Sequence, residues 1–134
     1  MYFDTYFCTI LSSCENESVY LRAIETLKGN FFVDIRRFKK RKSTEGIMLT
    51  PIEFIWVKKH LKNGFFERVK LKDPNSSIII DHQIEEGIML THTVKRKKDL
   101  MSITRIIILN KEEKLNLIKN LTNITKVLIT KKCF

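Results

Sequence analysis

A strongly basic run extends from Arg36 to Lys42. It holds six basic side chains and one aromatic ring, Phe38. Basic side chains can follow a phosphate backbone while an aromatic ring stacks on an unpaired base, so the run predicts a nucleic-acid contact. An ordinary solvated hairpin loop is the alternative. The predicted contact residues in this run are Arg36, Arg37, Phe38, Lys39, Lys40, Arg41 and Lys42.

A second basic run, residues 95–98, contains no aromatic residue. It therefore predicts contact with phosphates only. Earlier in the same half, two lysines alternate with Val69 and Leu71 along a predicted strand. They either extend a basic groove or face solvent on an exposed sheet. The predicted contact residues in this half are Lys70, Lys72, Lys95, Arg96, Lys97 and Lys98.

Alternation along the strand that leads into the first basic run separates two faces. Val33 and Ile35 lie on one face, as expected for core residues. Phe32 shares the other face with Arg36 and Phe38. Phe32 is therefore predicted to face the ligand, and a place in the core is the alternative.

The net charge is +10 over 134 residues, of which 43% are hydrophobic. This length fits one compact domain or two small packed units, and the composition argues against global disorder. The charge is uneven, at +3 over residues 1–67 and +7 over residues 68–134. A positive field attracts polyanions, most commonly nucleic acid, with acidic lipid or acidic protein as alternatives. Abundant Ile, Lys and Asn resemble the products of AT-rich genomes, such as those of many large DNA viruses.

No enzyme signature is present in the sequence, which lacks a glycine-rich phosphate loop, paired catalytic carboxylates and a nucleophile–base pattern. Cys8, Cys14 and Cys133 have no metal-ligand spacing, and the histidines do not cluster with them. We therefore expect a protein that is not an enzyme and needs no metal or cofactor. An odd cysteine count, no signal peptide and no apolar run of about 18 residues predict a soluble intracellular protein without membrane contact.

Apolar periodicity and turn residues predict four strands and a helix in the first half of the chain. The helix begins at Thr50, because Thr can cap the free N–H groups and Pro51 suits the first helical position. Glu53 completes a capping box. The helix is predicted to end near Asn63 and Gly64. The predicted strands are 2–11, 19–27, 31–38 and 46–49.

The second half gives a similar order of elements. Asn110 caps its helix, and that helix and the strand before it align without a gap with those sixty positions earlier. EGIMLT occurs at 45–50 and 86–91, but in this alignment the two copies fall on different strands, so their identity is coincidental. A duplicated β-β-β-β-α unit, over 1–64 and 65–134, is favoured over an ordinary α+β domain with two similar strand–helix units. The strands of the second half are predicted at 65–72, 77–82, 87–94 and 104–109. The residues predicted to pack the helices are Phe54, Trp56, Val57, Leu61, Leu117 and Leu121.

The stretch 28–61, KGNFFVDIRRFKKRKSTEGIMLTPIEFIWVKKHL, resembles the DNA-binding domain of the positive cofactor four family of transcriptional coactivators. A Lys-Gly turn precedes a strand with the triplet DIR at 34–36 and an aromatic residue two positions later. A basic, polar loop follows. The strand GIMLTP at 46–51 then leads into a helix that carries Phe54.

This resemblance implies a curved four-stranded antiparallel sheet followed by a helix, with dimerisation through the helices. It also implies binding of single-stranded or melted DNA along the sheets, with little sequence preference. The matching positions are Lys28, Arg36 and the loop 39–42. Leu27 and Lys39 stand where the family has aromatic residues. A tandem repeat would pack both helices of one chain as an internal pseudo-dimer, whereas the alternative is that each chain still forms a homodimer.

The sequence thus predicts an α+β protein that binds single-stranded DNA and acts with the transcription or replication machinery. The expected location is the nucleus or a site of viral DNA replication. RNA and duplex DNA are alternative ligands. Two alternative functions are a protein–protein interaction module of a transcription or replication complex and an RNA-binding regulator.

Overall fold

A computed structural model describes residues 3–61, 67–70, 76–82, 84–96, 98–99 and 101–134. These residues form eight β-strands and two α-helices in the order β-β-β-β-α-β-β-β-β-α. The first elements are β1 (Phe3–Cys14), β2 (Glu17–Thr26), β3 (Phe31–Lys39), β4 (Lys42–Leu49) and α1 (Pro51–His60). The remaining elements are β5 (Glu67–Lys70), β6 (Ser76–His82), β7 (Ile88–Lys95), β8 (Ser102–Leu109) and α2 (Lys111–Thr130). Within the described residues, neither helix is long and apolar enough to cross a lipid bilayer.

The strands form two antiparallel sheets, a first sheet in the order β1-β2-β3-β4 and a second in the order β5-β6-β7-β8. Alternate residues of a strand point to the same side, so each sheet has one buried apolar face. Leu21 and Ile35 in the first sheet and Ile80 and Leu90 in the second are fully buried on these faces. The opposite face of each sheet is called the outer face below. The predicted α+β class, with two antiparallel sheets and two helices, is confirmed.

Both helices share one continuous core with the two sheets. Trp56 lies at the margin of this core, and its ring centroid is 4.7 Å from that of His60. Lys58 Nζ of α1 donates a hydrogen bond to Thr125 Oγ1 of α2 at 3.2 Å, which joins the helices directly. The predicted packing residues with at most 3% exposure are Phe54, Val57, Leu61, Leu117 and Leu121.

The helix starts follow the capping chemistry that the sequence predicts. Thr50 Oγ1 accepts the N–H of Glu53 at 3.2 Å, and Glu53 Oε1 accepts the N–H of Thr50 at 2.8 Å. Asn110 and Glu113 make the same reciprocal pair at the start of α2, with both distances at 2.9 Å. Each pair satisfies two backbone groups that would otherwise lack partners. The predicted end of α1 at residues 63–64 lies outside the described residues.

Two hairpins are tighter than the sequence predicts. The expected polar turn after β1 shrinks to Glu15 and Asn16, and the expected basic loop after β3 shrinks to Lys40 and Arg41. Polar side chains at these positions continue the strands because the ladder uses backbone groups, while the side chains point to solvent. Of the predicted strand 65–72, only Glu67–Lys70 is among the described residues.

Candidate nucleic-acid interface

A buried carboxylate organises the centre of the outer face of the first sheet. Asp34 of β3 is 1% exposed and accepts hydrogen bonds from Arg22 of β2 and from Arg36 of β3. The shortest Arg22–Asp34 contact is 2.5 Å, and the Arg36–Asp34 contact is 3.1 Å. Arg36 also donates to Ser43 Oγ at 3.0 Å. Asp34 therefore holds two guanidinium groups in place while leaving part of each accessible to a ligand.

Aromatic rings surround the Arg22 guanidinium on the same face. Its central carbon lies 5.0 Å from the ring centroid of Phe3 and 5.9 Å from that of Phe38. The rings of Tyr20 and Phe38 meet edge to face at 5.7 Å. All four side chains are half-buried, so they can present ring faces and a guanidinium plane to a flat ligand.

The tip of the β3–β4 hairpin carries a run of basic residues at one end of the first sheet. Lys39, Lys40, Arg41 and Lys42 are all exposed, and no carboxylate of the described residues pairs with them. Lys40 and Arg41 connect the paired residues Lys39 and Lys42 and have positive φ angles of 50° and 68°. The structure thus presents four cations without a carboxylate partner at this end of the first sheet, of which Lys40 and Arg41 lie beside Phe38 on the outer face.

Two further predicted residues lie at the other end of β3. Lys28 is exposed in the β2–β3 turn, and Phe32 is half-buried on the same side of the strand as Asp34. β3 contains nine residues and so extends about 30 Å. The outer face therefore connects Lys28 at one end with the basic hairpin at the other.

Arg37 does not fit its predicted role as a nucleic-acid contact. Its five N–H donors are all used, by Glu45 at 2.8 Å, Glu17 at 2.6 Å, the Ile108 carbonyl at 2.7 Å and both carboxylate oxygens of Glu113 at 2.9 and 3.0 Å. Burial lowers the pKa of Arg37, but these carboxylates outweigh it and raise the pKa above its ordinary value. Arg37 is thus an internal clamp between the first sheet and the start of α2.

A second internal pair also joins the two halves, but here the carboxylate belongs to the first half and the basic residue to the second. Nε2 of His92, on β7, lies 2.7 Å from Oε2 of Glu53, the capping glutamate of α1, and both side chains are buried. Burial acts to raise the pKa of Glu53, but hydrogen bonds from His92 and from the Thr50 N–H lower it overall. Burial likewise opposes ionisation of Glu113, and the bonds from Arg37 and elsewhere hold its pKa below the ordinary value.

The second half presents a different outer face. Thr91, Thr93, Thr104 and Ile106 occupy the outer face of β7 and β8, where the first sheet carries arginines and aromatic rings. Of the second basic run, Lys95 and Lys98 are exposed and Arg96 pairs with Asp99 at 2.5 Å. In the β5–β6 ladder Lys70 is the backbone partner of Ser77. Predicted contacts outside the described residues are Lys72 and Lys97.

Phe3, Arg22 and Asp34, which lie close to Phe38 and Arg36 on the outer face of the first sheet, were not among the predicted contacts. Arg22 alternates with buried Leu21 and Ala23, so strand periodicity carried a signal that it faces outward. Asp34 lies two residues before Arg36 on the same strand face, which is the spacing that lets the two side chains meet. The approach of Phe3 to Arg22 depends on the pairing of β1 with β2, which local sequence does not reveal.

Comparison of the chain with known proteins finds similarity in fold but not in sequence. No protein-family model matches it, and no curated protein matches it in sequence. The resemblance to the positive cofactor four family therefore stays a prediction.

Three solved structures share the fold at low sequence identity. The plant transcriptional regulator PBF-2 is 11% identical, with a TM-score of 0.52 over 97% of this chain and 84% of that one. MRP1/MRP2 of Trypanosoma bruciei is 13% identical, with a TM-score of 0.50 over 92% and 84%. WHY1 from Arabidopsis thaliana is 11% identical, with a TM-score of 0.50 over 96% and 86%.

Proposed function

We propose that this chain binds single-stranded DNA across the outer face of its first sheet and acts in transcription or replication. The observation that supports this proposal most directly is the buried Asp34 carboxylate, which orients Arg22 and Arg36 beside half-buried aromatic rings. The basic hairpin adds four exposed cations at the end of the same sheet, and Lys40 and Arg41 lie beside Phe38. The fold similarity to a plant transcriptional regulator, PBF-2, supports a role in transcription.

Binding combines two kinds of contact. The cations of the hairpin follow the phosphates, and this part of the affinity weakens as salt rises. The rings of Tyr20 and Phe38 and the guanidinium of Arg22 stack on bases whose faces are free. In a duplex those base faces are covered by neighbouring base pairs, so the stacking contribution is available only to a single strand. In this proposal the chain acts inside the cell as a DNA-binding protein and not as an enzyme.

We also propose that the two halves form an internal pseudo-dimer. The capping glutamates Glu53 and Glu113 lie sixty positions apart, and each accepts from a basic residue of the other half, His92 or Arg37. His92 and Arg37 also occupy equivalent positions in their sheets. Arg37 lies two residues after Ile35, which pairs with a buried isoleucine of β4. His92 lies two residues after Leu90, which pairs with a buried isoleucine of β8. A single chain then supplies both units, and sedimentation should give a monomer of 15.9 kDa. A dimer in solution would favour association of two chains.

The test is fluorescence anisotropy with a labelled single-stranded DNA 20-mer, its duplex and the matching RNA. We expect the single strand to bind tighter than the duplex, with a salt slope of about −3 if the four hairpin cations contact phosphates. Tighter binding of RNA would transfer the proposal to an RNA-binding regulator, because only RNA offers a 2′-hydroxyl. A salt-insensitive affinity, or a preference for duplex, would refute the proposed mode of binding.

A protein–protein interaction module is the second candidate, and exposed apolar residues on the helices favour it. Ile52 of α1 is 68% exposed, and Leu115 and Ile129 of α2 are 48% and 61% exposed. If the helices carry the function, the chain should form a stable oligomer or complex and show no oligonucleotide affinity at low salt. Binding that is removed by charge changes at the hairpin would exclude this candidate as the main function.

A further inference from the structure

A cleft of about 790 Å³ lies at one end of the outer face of the first sheet, between the β1–β2 and β3–β4 turns. The N–H of Lys40 donates to the carbonyl oxygen of Asn16 at 2.8 Å and ties the two turns together. Tyr20 and Phe38 line the cleft with their edge-to-face rings. The volume lies within the range of pockets that hold small organic ligands.

The walls of this cleft differ in charge. Lys40, Arg41 and Arg22 contribute cations, whereas Glu15 and Asn16 on the facing turn contribute oxygen acceptors. Asp34 already neutralises part of the Arg22 charge. A ligand that fits all of these walls has a flat ring, an anionic group and a hydrogen-bond donor on the ring edge.

We infer that the cleft is a subsite for one unpaired nucleotide whose base carries an exocyclic amino group. This inference rests on the proposed function and deepens it by naming the base chemistry. The base stacks against Phe38 and Tyr20, and its phosphate meets Lys40 and Arg41. The amino group of cytosine, adenine or guanine donates to the Glu15 carboxylate, which can only accept, whereas thymine and uracil have a carbonyl oxygen in place of that amino group. A paired base cannot enter, because it is held in the duplex stack.

The native cysteines allow a direct test of occupancy. Cys8 and Cys14 are exposed and line the cleft, whereas Cys133 is half-buried and lies elsewhere, near Phe31. The experiment measures alkylation rates of the three thiols by N-ethylmaleimide, using peptide mass spectrometry. The reduced full chain is compared alone and with single-stranded dC or dT 20-mers. The concentration of each oligonucleotide is chosen from anisotropy titrations so that the same fraction of the protein is bound in both samples.

The expected result is slower alkylation of Cys8 and Cys14 with bound dC, by about fivefold or more, and less protection with dT. Cys133, which lies outside the cleft, serves as the internal control, and its rate should be the same with dC as with dT. If dC saturates the protein but leaves Cys8 and Cys14 unprotected, or if dT protects them equally, the inference is wrong while the proposed function stands. If neither oligonucleotide binds at low salt, the proposed function itself fails.

Two variants separate stacking from recognition of the base edge. Phe38→Leu keeps an apolar side chain and all hairpin charges, and it should weaken dC binding by about tenfold through loss of stacking. Glu15→Ala removes the acceptor, and it should reduce the ratio of dC to dT affinity toward one. That ratio is the relevant measurement, because removing a carboxylate strengthens binding of every oligonucleotide through net charge alone. An unchanged ratio would overturn the assigned role of Glu15.

Discussion

The β3–β4 hairpin should be more stable, and bind nucleic acid less tightly, when its turn residues are replaced by those its backbone prefers. Lys40 and Arg41 form a two-residue connection in which both φ angles are positive, at 50° and 68°. Such a turn favours Asn-Gly, because most side chains clash with the backbone in the left-handed region. The double change Lys40→Asn and Arg41→Gly therefore suits the turn and removes two cations.

The size of both effects follows from the structure. Each residue that has an ordinary side chain and a left-handed backbone lowers the free energy of unfolding by about 1–2 kcal/mol. Relief of this strain is partly offset, because the new glycine raises the entropy of the unfolded chain and so lowers stability by up to about 1 kcal/mol. The net gain should be about 1–2 kcal/mol, or a rise in Tm of about 3–8 °C for a chain of this size. Removing two phosphate contacts should make the salt slope for single-stranded DNA shallower by about 1.4.

Urea denaturation and anisotropy titrations at several salt concentrations measure the two effects. The matched control is Lys119→Gln with Lys126→Gln, which removes the same charge from the exposed side of α2. The control should leave the salt slope unchanged and bring no gain in stability. If the hairpin variant is less stable, the turn is not strained in the way argued. If both double variants weaken binding equally, net charge rather than the hairpin controls the affinity.

Three further changes test the internal contacts. Arg37→Met leaves the buried Glu113 carboxylate unpaired and should lower the free energy of unfolding by about 3 kcal/mol in urea; a loss of DNA affinity in the folded variant would contradict its internal role. Because the pKa of Glu53 lies below its ordinary value of 4.5 in the folded protein, its ionised carboxylate and the hydrogen bonds it accepts stabilise the fold above that pH. Stability should fall as pH drops below 4.5, and Glu53→Gln should make this fall shallower; an equal slope would refute the assignment. Thr50→Ala removes the cap of α1 and should cost about 1 kcal/mol, whereas Thr50→Ser should cost little.

Local signals predicted most of the elements of this fold. Thr50 and Asn110 both cap helices as expected, because a cap needs only its own side chain and the next three residues. Strand positions were equally local, since alternation distinguishes Val33 and Ile35 from their neighbours. Strand ends were less accurate, and β4 begins at Lys42 because ladder pairing tolerates exposed polar residues.

Side-chain partners were not predictable in the same way. Arg36 and Arg37 are adjacent in one basic run, yet they point to opposite faces of β3. Grouping both residues as contacts in one basic run hid this difference, although alternation along the predicted strand 31–38 places Arg37 with Ile35 on the buried face. The partner Glu113 lies 76 residues away, and a contact of that range depends on how the two halves pack.

The proposed pseudo-dimer gives a physical reason for the unequal outer faces. Glu53–His92 and Glu113–Arg37 hold the halves together from both sides, so the sheets keep their relation whatever their outer residues are. The proposed binding of DNA therefore requires the outer face of the first sheet only. On the second sheet, Thr91 and Ile106 lie at the positions that Arg36 and Gly46 occupy on the first. Gly46 itself leaves room for the Arg36 guanidinium, since an added Cβ would lie 2.8 Å from its central carbon. A side chain like that of Ile106 at this position would displace Arg36, and so the two faces cannot bind the same ligand in the same way.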